Sequence, residues 1–142
     1  MNCRLLLLAG LFLAACTADS KQQKLKFEDA WVRSAPPGAM MTAGFGRLVN
    51  HTEELLVITA YSSPAYGEVS LHQTVIENDV SQMREVHALT IPPGEAVELA
   101  PGGYHLMLMK PTQTSDLPQF IELYLETAGG RQFNFNLPLE RR

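Results

Sequence analysis

The sequence predicts an all-β protein of one domain, folded as a sandwich or barrel of short strands. Stretches of alternating apolar and polar residues recur at short intervals from residue 25 onward, and no convincing helical pattern intervenes. Clusters of Gly, Pro and Asn separate these stretches, as turns do in sandwiches and barrels. A chain of 142 residues with 46% hydrophobic content can bury one core but leaves no room for a second domain.

The predicted strands follow one another along the whole of this region. In chain order they span residues 25–33, 41–49, 55–61, 67–76, 80–88, 96–99, 104–110, 120–126 and 132–137. In the last two strands, side chains alternate between an apolar face and a more polar one, which predicts that one face of each packs inward. The single Trp31 is assigned to the core, because a lone Trp in an apolar strand is usually an anchor.

A hairpin is predicted between the fourth and fifth strands, because Asn78 and Asp79 form a tight-turn signal between two strand-like stretches. If these two residues make up the loop, Thr74 pairs with Met83. Met83 then shares a sheet face with His72 as a diagonal neighbour, about 7 to 8 Å away. A three-residue loop would put Met83 on the opposite face, so this proximity depends on the register.

His105 and Met107 lie two residues apart in the predicted strand 104–110, so both side chains leave the same face. With His72 and Met83 they give two imidazoles and two thioethers. Thioether sulfur suits Cu(I), and imidazole suits copper in either oxidation state. The set therefore predicts a Cu(I) site, and the site should lie near the surface because neutral ligands leave the charge of the ion uncompensated.

Each of these four residues also has an ordinary explanation. Met is a common core filler, and a lone His on a strand is usually a surface residue or a satisfied one. Among the other methionines and histidines of the predicted domain, Met40, Met41 and Met109 are assigned to apolar packing, His51 to a polar loop and His87 to the return strand of the hairpin.

The spacing of the four ligands resembles the signature of the periplasmic copper chaperones of the PCuAC family. Ten residues separate His72 from Met83, and twenty-one separate Met83 from His105. The resemblance covers roughly residues 25 to 139, including segments 29–33, 35–38, 62–65 and 97–109. It implies a cupredoxin-like Greek-key sandwich or barrel that holds one Cu(I) per chain. It also implies delivery to the assembling copper centre of a respiratory cytochrome oxidase, directly or through a Sco-type thiol protein.

The N-terminus predicts export. Arg4 gives a positive start, and the apolar run that follows has about the length of a signal peptide, too short to span a bilayer as a mature helix. The residues Leu13-Ala14-Ala15-Cys16 resemble the bacterial lipobox, so we expect cleavage before Cys16 and lipidation of that cysteine. The alternative is an ordinary signal peptide with an incidental cysteine.

This cleavage divides the chain into three parts. Residues 1–15 are the predicted lipoprotein signal peptide, residues 16–24 the lipidated cysteine with a polar tether, and residues 25–142 the copper-binding domain. A flexible tether of this length spans about 15 Å on average. The domain is therefore expected to stay close to a membrane, on its periplasmic or extracytoplasmic face, and to be monomeric.

Composition argues against several classes of function. With Cys16 lipidated, the predicted domain contains no cysteine, so it can form no disulfide and is neither a thiol oxidoreductase nor a blue-copper site with a Cys ligand. The net charge of −4 provides no basic patch for nucleic acid. No spacing suggests a Ser, His and Asp set, so an enzyme is the least favoured class. Copper sequestration for tolerance, and a metal-free adhesion or scaffold domain, stay open beside the chaperone.

Overall fold

The computed structural model describes residues 24–113 and 118–142, and every regular element in these residues is a strand. The strands are β1 (Leu25–Arg33), β2 (Met41–Asn50), β3 (Leu56–Ser63), β4 (Tyr66–Glu77), β5 (Val80–Glu85), β6 (Leu89–Ile91), β7 (Ala96–Leu99), β8 (Tyr104–Pro111), β9 (Phe120–Thr127) and β10 (Gln132–Glu140). The described part of the chain has no helix long and apolar enough to cross a membrane.

The strands form one sheet that closes on itself. Their order is β5-β4-β8-β7-β2-β1-β10-β9-β3-β6, and further pairings of β3 with β4 and of β2 with β8 close the barrel. Neighbours are antiparallel except for β1 with β10 and β7 with β8. β5 extends the sheet beyond β4 and has no partner on its outer side among the described strands. The predicted all-β, single-domain fold is confirmed.

The barrel is filled largely by leucine and isoleucine side chains. Alternation places Leu106 and Leu108 of β8 inside, each 1% exposed, and Leu123 and Leu125 of β9 inside at 1% and 0%. Each such side chain contributes about 1.5 to 3 kcal/mol when it leaves water. The inward face predicted for β9 is therefore the face that packs, and the alternate residues of β8 are left for the outside.

One strand was not predicted, and one was predicted too long. β5 ends at Glu85, three residues before the predicted end, because the chain then turns away from β4 to run beside β3 as β6. There Leu56 pairs with Ile91. β6 has only three residues, too few for alternation to appear in the sequence.

Trp31 is buried, as predicted, but it lies beside the continuous core cluster rather than within it. Its ring packs on Phe45 with centroids 4.9 Å apart. The Arg142 guanidinium lies 4.8 Å from the Trp31 ring, and that of Arg33 lies 5.2 Å from the Phe45 ring. These contacts form a small aromatic cluster next to the candidate site.

Candidate metal centre

The hairpin of β4 and β5 has the register that the sequence predicts. Asn78 and Asp79 both have positive φ, 51° and 62°, as a type I′ two-residue turn requires. Thr74 pairs with Met83, so Met83 is the diagonal neighbour of His72 on one face of the sheet. Asn and Asp tolerate this backbone region better than most residues, which explains why the turn falls here.

β8 lies on the other side of β4 and brings the second histidine to the first. His72 pairs directly with His105, and Ser70 pairs with Met107. The two imidazole rings are nearly parallel, with centroids 6.0 Å apart and planes at 26°. The structure thus gathers all four predicted ligands on three adjacent strands.

Two nitrogen atoms of these rings are buried without a hydrogen-bond partner. Over residues 24–113 and 118–142, the buried side-chain nitrogen and oxygen atoms in this condition are Nδ1 of His72, Nε2 of His105 and the hydroxyl of Tyr61. An unsatisfied buried polar atom costs about 1 to 3 kcal/mol. Two of the three lie on the stacked rings. A bound electron-pair acceptor, such as a metal ion, would satisfy both nitrogens.

The remaining ring nitrogens fix which atoms are free to bind. Nδ1 of His105 lies 3.1 Å from the carbonyl oxygen of Gly103, which can only accept, so Nδ1 donates and Nε2 keeps its lone pair. Nε2 of His72 lies 2.9 Å from Oγ of Ser70. When Nε2 donates to that hydroxyl, Nδ1 presents a lone pair as well. Such contacts orient metal-binding imidazoles in many proteins.

The four side chains differ in how far they reach solvent. His105 is only 4% exposed, whereas Met83 is 63% exposed. Met83, His105 and Met107 line one groove of about 410 Å³, which also meets Phe45 of the aromatic cluster. The site therefore has a buried imidazole side and an open thioether side.

No group of three or more His, Cys, Asp and Glu side chains in the described residues is placed to hold a metal ion. A zinc site built from those residue types alone has no complete set there. The groove instead places the thioethers of Met83 and Met107 beside His105, and thioethers favour a soft ion.

Residues 25–139 match a family model described as "Putative lipoprotein LpqE-like". The chain belongs to this LpqE-like family. A protein of Leifsonia xyli subsp. xyli (strain CTCB07) named "Putative lipoprotein Lxx21020" is 30% identical over 128 residues, which cover 89% of this chain and 76% of that protein. Both the LpqE-like family and this relative are named as lipoproteins, in agreement with the predicted lipobox.

The LpqE-like fold is that of PCuAC domains. The copper-bound PCuAC domain from PmoF2 superposes with a TM-score of 0.67 at 20% identity, over 84% of this chain and 95% of that one. CuI-DR1885 from Deinococcus radiodurans superposes with a TM-score of 0.64 at 23% identity, over 87% of this chain and 84% of that one. The predicted resemblance to the PCuAC family is confirmed in the fold.

The N-terminal predictions for this LpqE-like chain lie outside the described residues. These are the signal peptide over residues 1–15, lipidation of Cys16 and the tether up to residue 23. They stay predictions.

The assignment of Met40 and Met41 to apolar packing is wrong. They are 58% and 55% exposed, and Met41 lines the groove beside Met107. Met109 is half-buried on the same face as His105 and Met107. His51 is at the surface, as its place in a polar loop predicts. His87 is also exposed but lies beyond the end of β5 rather than on it, and its Nδ1 lies 3.7 Å from the Glu85 carboxylate.

Two residues that orient the site were not singled out from the sequence. Ser70 contacts the His72 ring, and the carbonyl of Gly103 receives the proton of His105. Ser70 could have been found, because it lies two residues before His72 on the same face of the strand. The role of a backbone carbonyl such as that of Gly103 leaves no signal in the residue type.

Proposed function

We propose that this LpqE-like protein is an extracytoplasmic copper chaperone that holds one Cu(I) through His72, Met83, His105 and Met107. The observation that carries the proposal is the pair of buried, unpartnered imidazole nitrogens on stacked rings beside two thioethers. Two structural neighbours, the PCuAC domain from PmoF2 and CuI-DR1885, have copper-bound structures.

The ligand set suits the reduced ion. Thioether sulfur is a soft, neutral ligand that binds Cu(I) well and adds little for hard cations, while the imidazoles supply stronger nitrogen donors. His72 and His105 are anchored through Ser70 and Gly103, so their free nitrogens need little reorganisation to receive the ion.

The uneven exposure of the ligands supports transfer. A partner can reach the ion from the open side, where Met83 is exposed on β5, the last strand of the sheet. A thioether is a weak ligand, so a thiolate or imidazole of the partner can replace Met83 before the bond between the ion and the buried His105 breaks. Such stepwise exchange moves the ion without oxidation or reduction and without releasing it to solvent.

The recipient proposed is a copper-accepting protein, either the assembling copper centre of a respiratory cytochrome oxidase or a Sco-type thiol protein that loads it. Copper sequestration for tolerance is the alternative and would use the same ligands. Deleting the gene separates the two. Loss of oxidase activity at low copper supports delivery, whereas copper sensitivity with normal oxidase activity supports sequestration.

Metal selectivity is the direct test of the site. We expect the purified protein to retain one Cu(I) against a competing chelator, and to prefer it over Cu(II) and Zn(II), because two of the four ligands are thioethers. Competition titration measures this preference. Equal or stronger retention of Zn(II) would contradict a site that contains Met.

The lipid anchor is tested apart from the copper site. Cys16→Ala is expected to move the protein from the membrane fraction to the soluble fraction, because the variant lacks the lipidated residue. Cu(I) affinity should stay near that of the wild type, since the anchor precedes the domain in the chain. Fractionation after a high-salt wash measures the shift, and a variant that stays with the membrane would show that the lipobox interpretation is wrong.

A further inference from the structure

Every methionine that the structure describes lies outside the buried core. The side chains of Met40, Met41, Met83, Met107 and Met109 are exposed or half-exposed, and leucine and isoleucine fill the barrel instead. Exposed apolar side chains that lie next to one another commonly mark a place where something binds. Met83 and Met107 are accounted for by the proposed copper site, whereas Met41 and Met109 are not.

The sheet register brings these two unexplained residues together. Met41 on β2 pairs directly with Met109 on β8, and Ala43 pairs with Met107. Residues opposite each other on neighbouring strands have Cβ atoms about 4.5 to 5.5 Å apart. Met41 is also the diagonal neighbour of Met107, and the two line the same groove. The thioether pair thus adjoins the copper site at Met107.

We infer that Met41 and Met109 form a second, weaker site for a soft monovalent cation. Cu(I) binds there on its way between solvent and the main site. This inference rests on the proposed function. The ion passes by ligand exchange, in which its bond to the sulfur of Met109 or Met41 breaks as a bond to the sulfur of Met107 forms. Both sulfurs are neutral throughout, so no electron or proton is transferred.

The surroundings explain why this pair binds more weakly than the main site. It has no imidazole, and thioethers alone are weak donors. Glu68 on β4 pairs directly with Met109, but its carboxylate accepts a hydrogen bond from Nζ of Lys110 at 2.8 Å, so its charge is already paired. A cation here therefore gains only the two sulfur contacts and should leave readily.

The test uses Ag(I), a redox-inert soft cation, and the full chain in detergent with its methionine methyl groups labelled with ¹³C. In an NMR titration, the first equivalent is expected to shift the methyl signals of Met83 and Met107. Further Ag(I) should shift those of Met41 and Met109. Met40 is the matched control, because it is as exposed as Met41 but precedes β2 and is not paired with Met109. Its methyl signal should stay in place.

A double variant, Met41→Leu with Met109→Leu, completes the test. It should lose the second phase of the titration and keep the first. It should also release Cu(I) to an excess of chelator at least about threefold more slowly, which corresponds to a small rise in the activation barrier for release. If Met41 and Met109 do not respond to excess Ag(I), or if the double variant releases Cu(I) at the wild-type rate, the inference is overturned. If Met83 and Met107 fail to respond to the first equivalent, the proposed function itself fails.

Discussion

Replacing His105 by alanine is expected to lower Cu(I) affinity by at least about 100-fold, or about 2.8 kcal/mol. His105 is almost fully buried, and its Nε2 is held free by the contact between Nδ1 and the Gly103 carbonyl. Losing a residue that only orients a ligand typically costs 10- to 100-fold in metal affinity, so losing the ligand itself should cost at least the upper end of that range. Competition against a Cu(I) chelator measures the change.

Three further variants separate ligation by His105 from nearby effects. His87→Ala removes an exposed imidazole whose neighbour is Glu85, and it should leave Cu(I) affinity unchanged. Ser70→Ala removes only the contact to His72 and should cost about tenfold. His105→Gln controls for destabilisation caused by the smaller alanine side chain. Its folding is checked by thermal unfolding without metal. A His105 variant that folds and still binds Cu(I) like the wild type would exclude this residue as a ligand.

Gly46→Ala is expected to destabilise the domain by about 4 kcal/mol, which combines backbone strain with a contact that cannot relax. Gly46 has φ of +146°, and a Cβ built there would lie 2.7 Å from Cα of Ala30. That atom belongs to the bulge in β1 between Glu28 and Trp31, where the two strands shift register. The neighbour is backbone, so it cannot swing aside.

Gly38→Ala is the matched control for this stability effect. Gly38 also has positive φ, +82°, but a Cβ there meets nothing within 4 Å. It should therefore cost only the conformational strain, about 1 to 2 kcal/mol. Urea unfolding of both variants gives the comparison. Equal losses at the two positions would mean that the close approach of β1 to β2 contributes nothing.

The part of the site that the sequence could predict depended on local rules. Asn78 and Asp79 specify a two-residue turn, and a turn of that length fixes which residues of β4 and β5 share a face. Alternation then places His105 and Met107 on the outside of β8, opposite Leu106 and Leu108. Both inferences needed only neighbouring residues, and the structure agrees with both.

The rest depended on contacts between distant segments, which no local pattern records. The direct pairing of His72 with His105 follows from β8 lying beside β4. The sequence analysis predicted no such neighbours, and its Greek-key topology came only from the family resemblance. The exposure of Met41 could not be predicted for a similar reason. It depends on the groove between β2, β8 and the loop after Arg33, whereas an apolar residue at a strand start ordinarily suggests packing.

Copper competition titration of three leucine variants tests the four-ligand site most directly. Met83→Leu and Met107→Leu keep much of the side-chain volume and should leave metal-free stability within about 1.5 kcal/mol of the wild type. Each should nevertheless lower Cu(I) affinity tenfold or more, about 1.4 kcal/mol. Met109→Leu, on the same face of β8, should keep the affinity of the first Cu(I) near that of the wild type. If Met109→Leu weakens binding as much as Met107→Leu, or if Met83→Leu leaves it unchanged, the four-ligand site is contradicted.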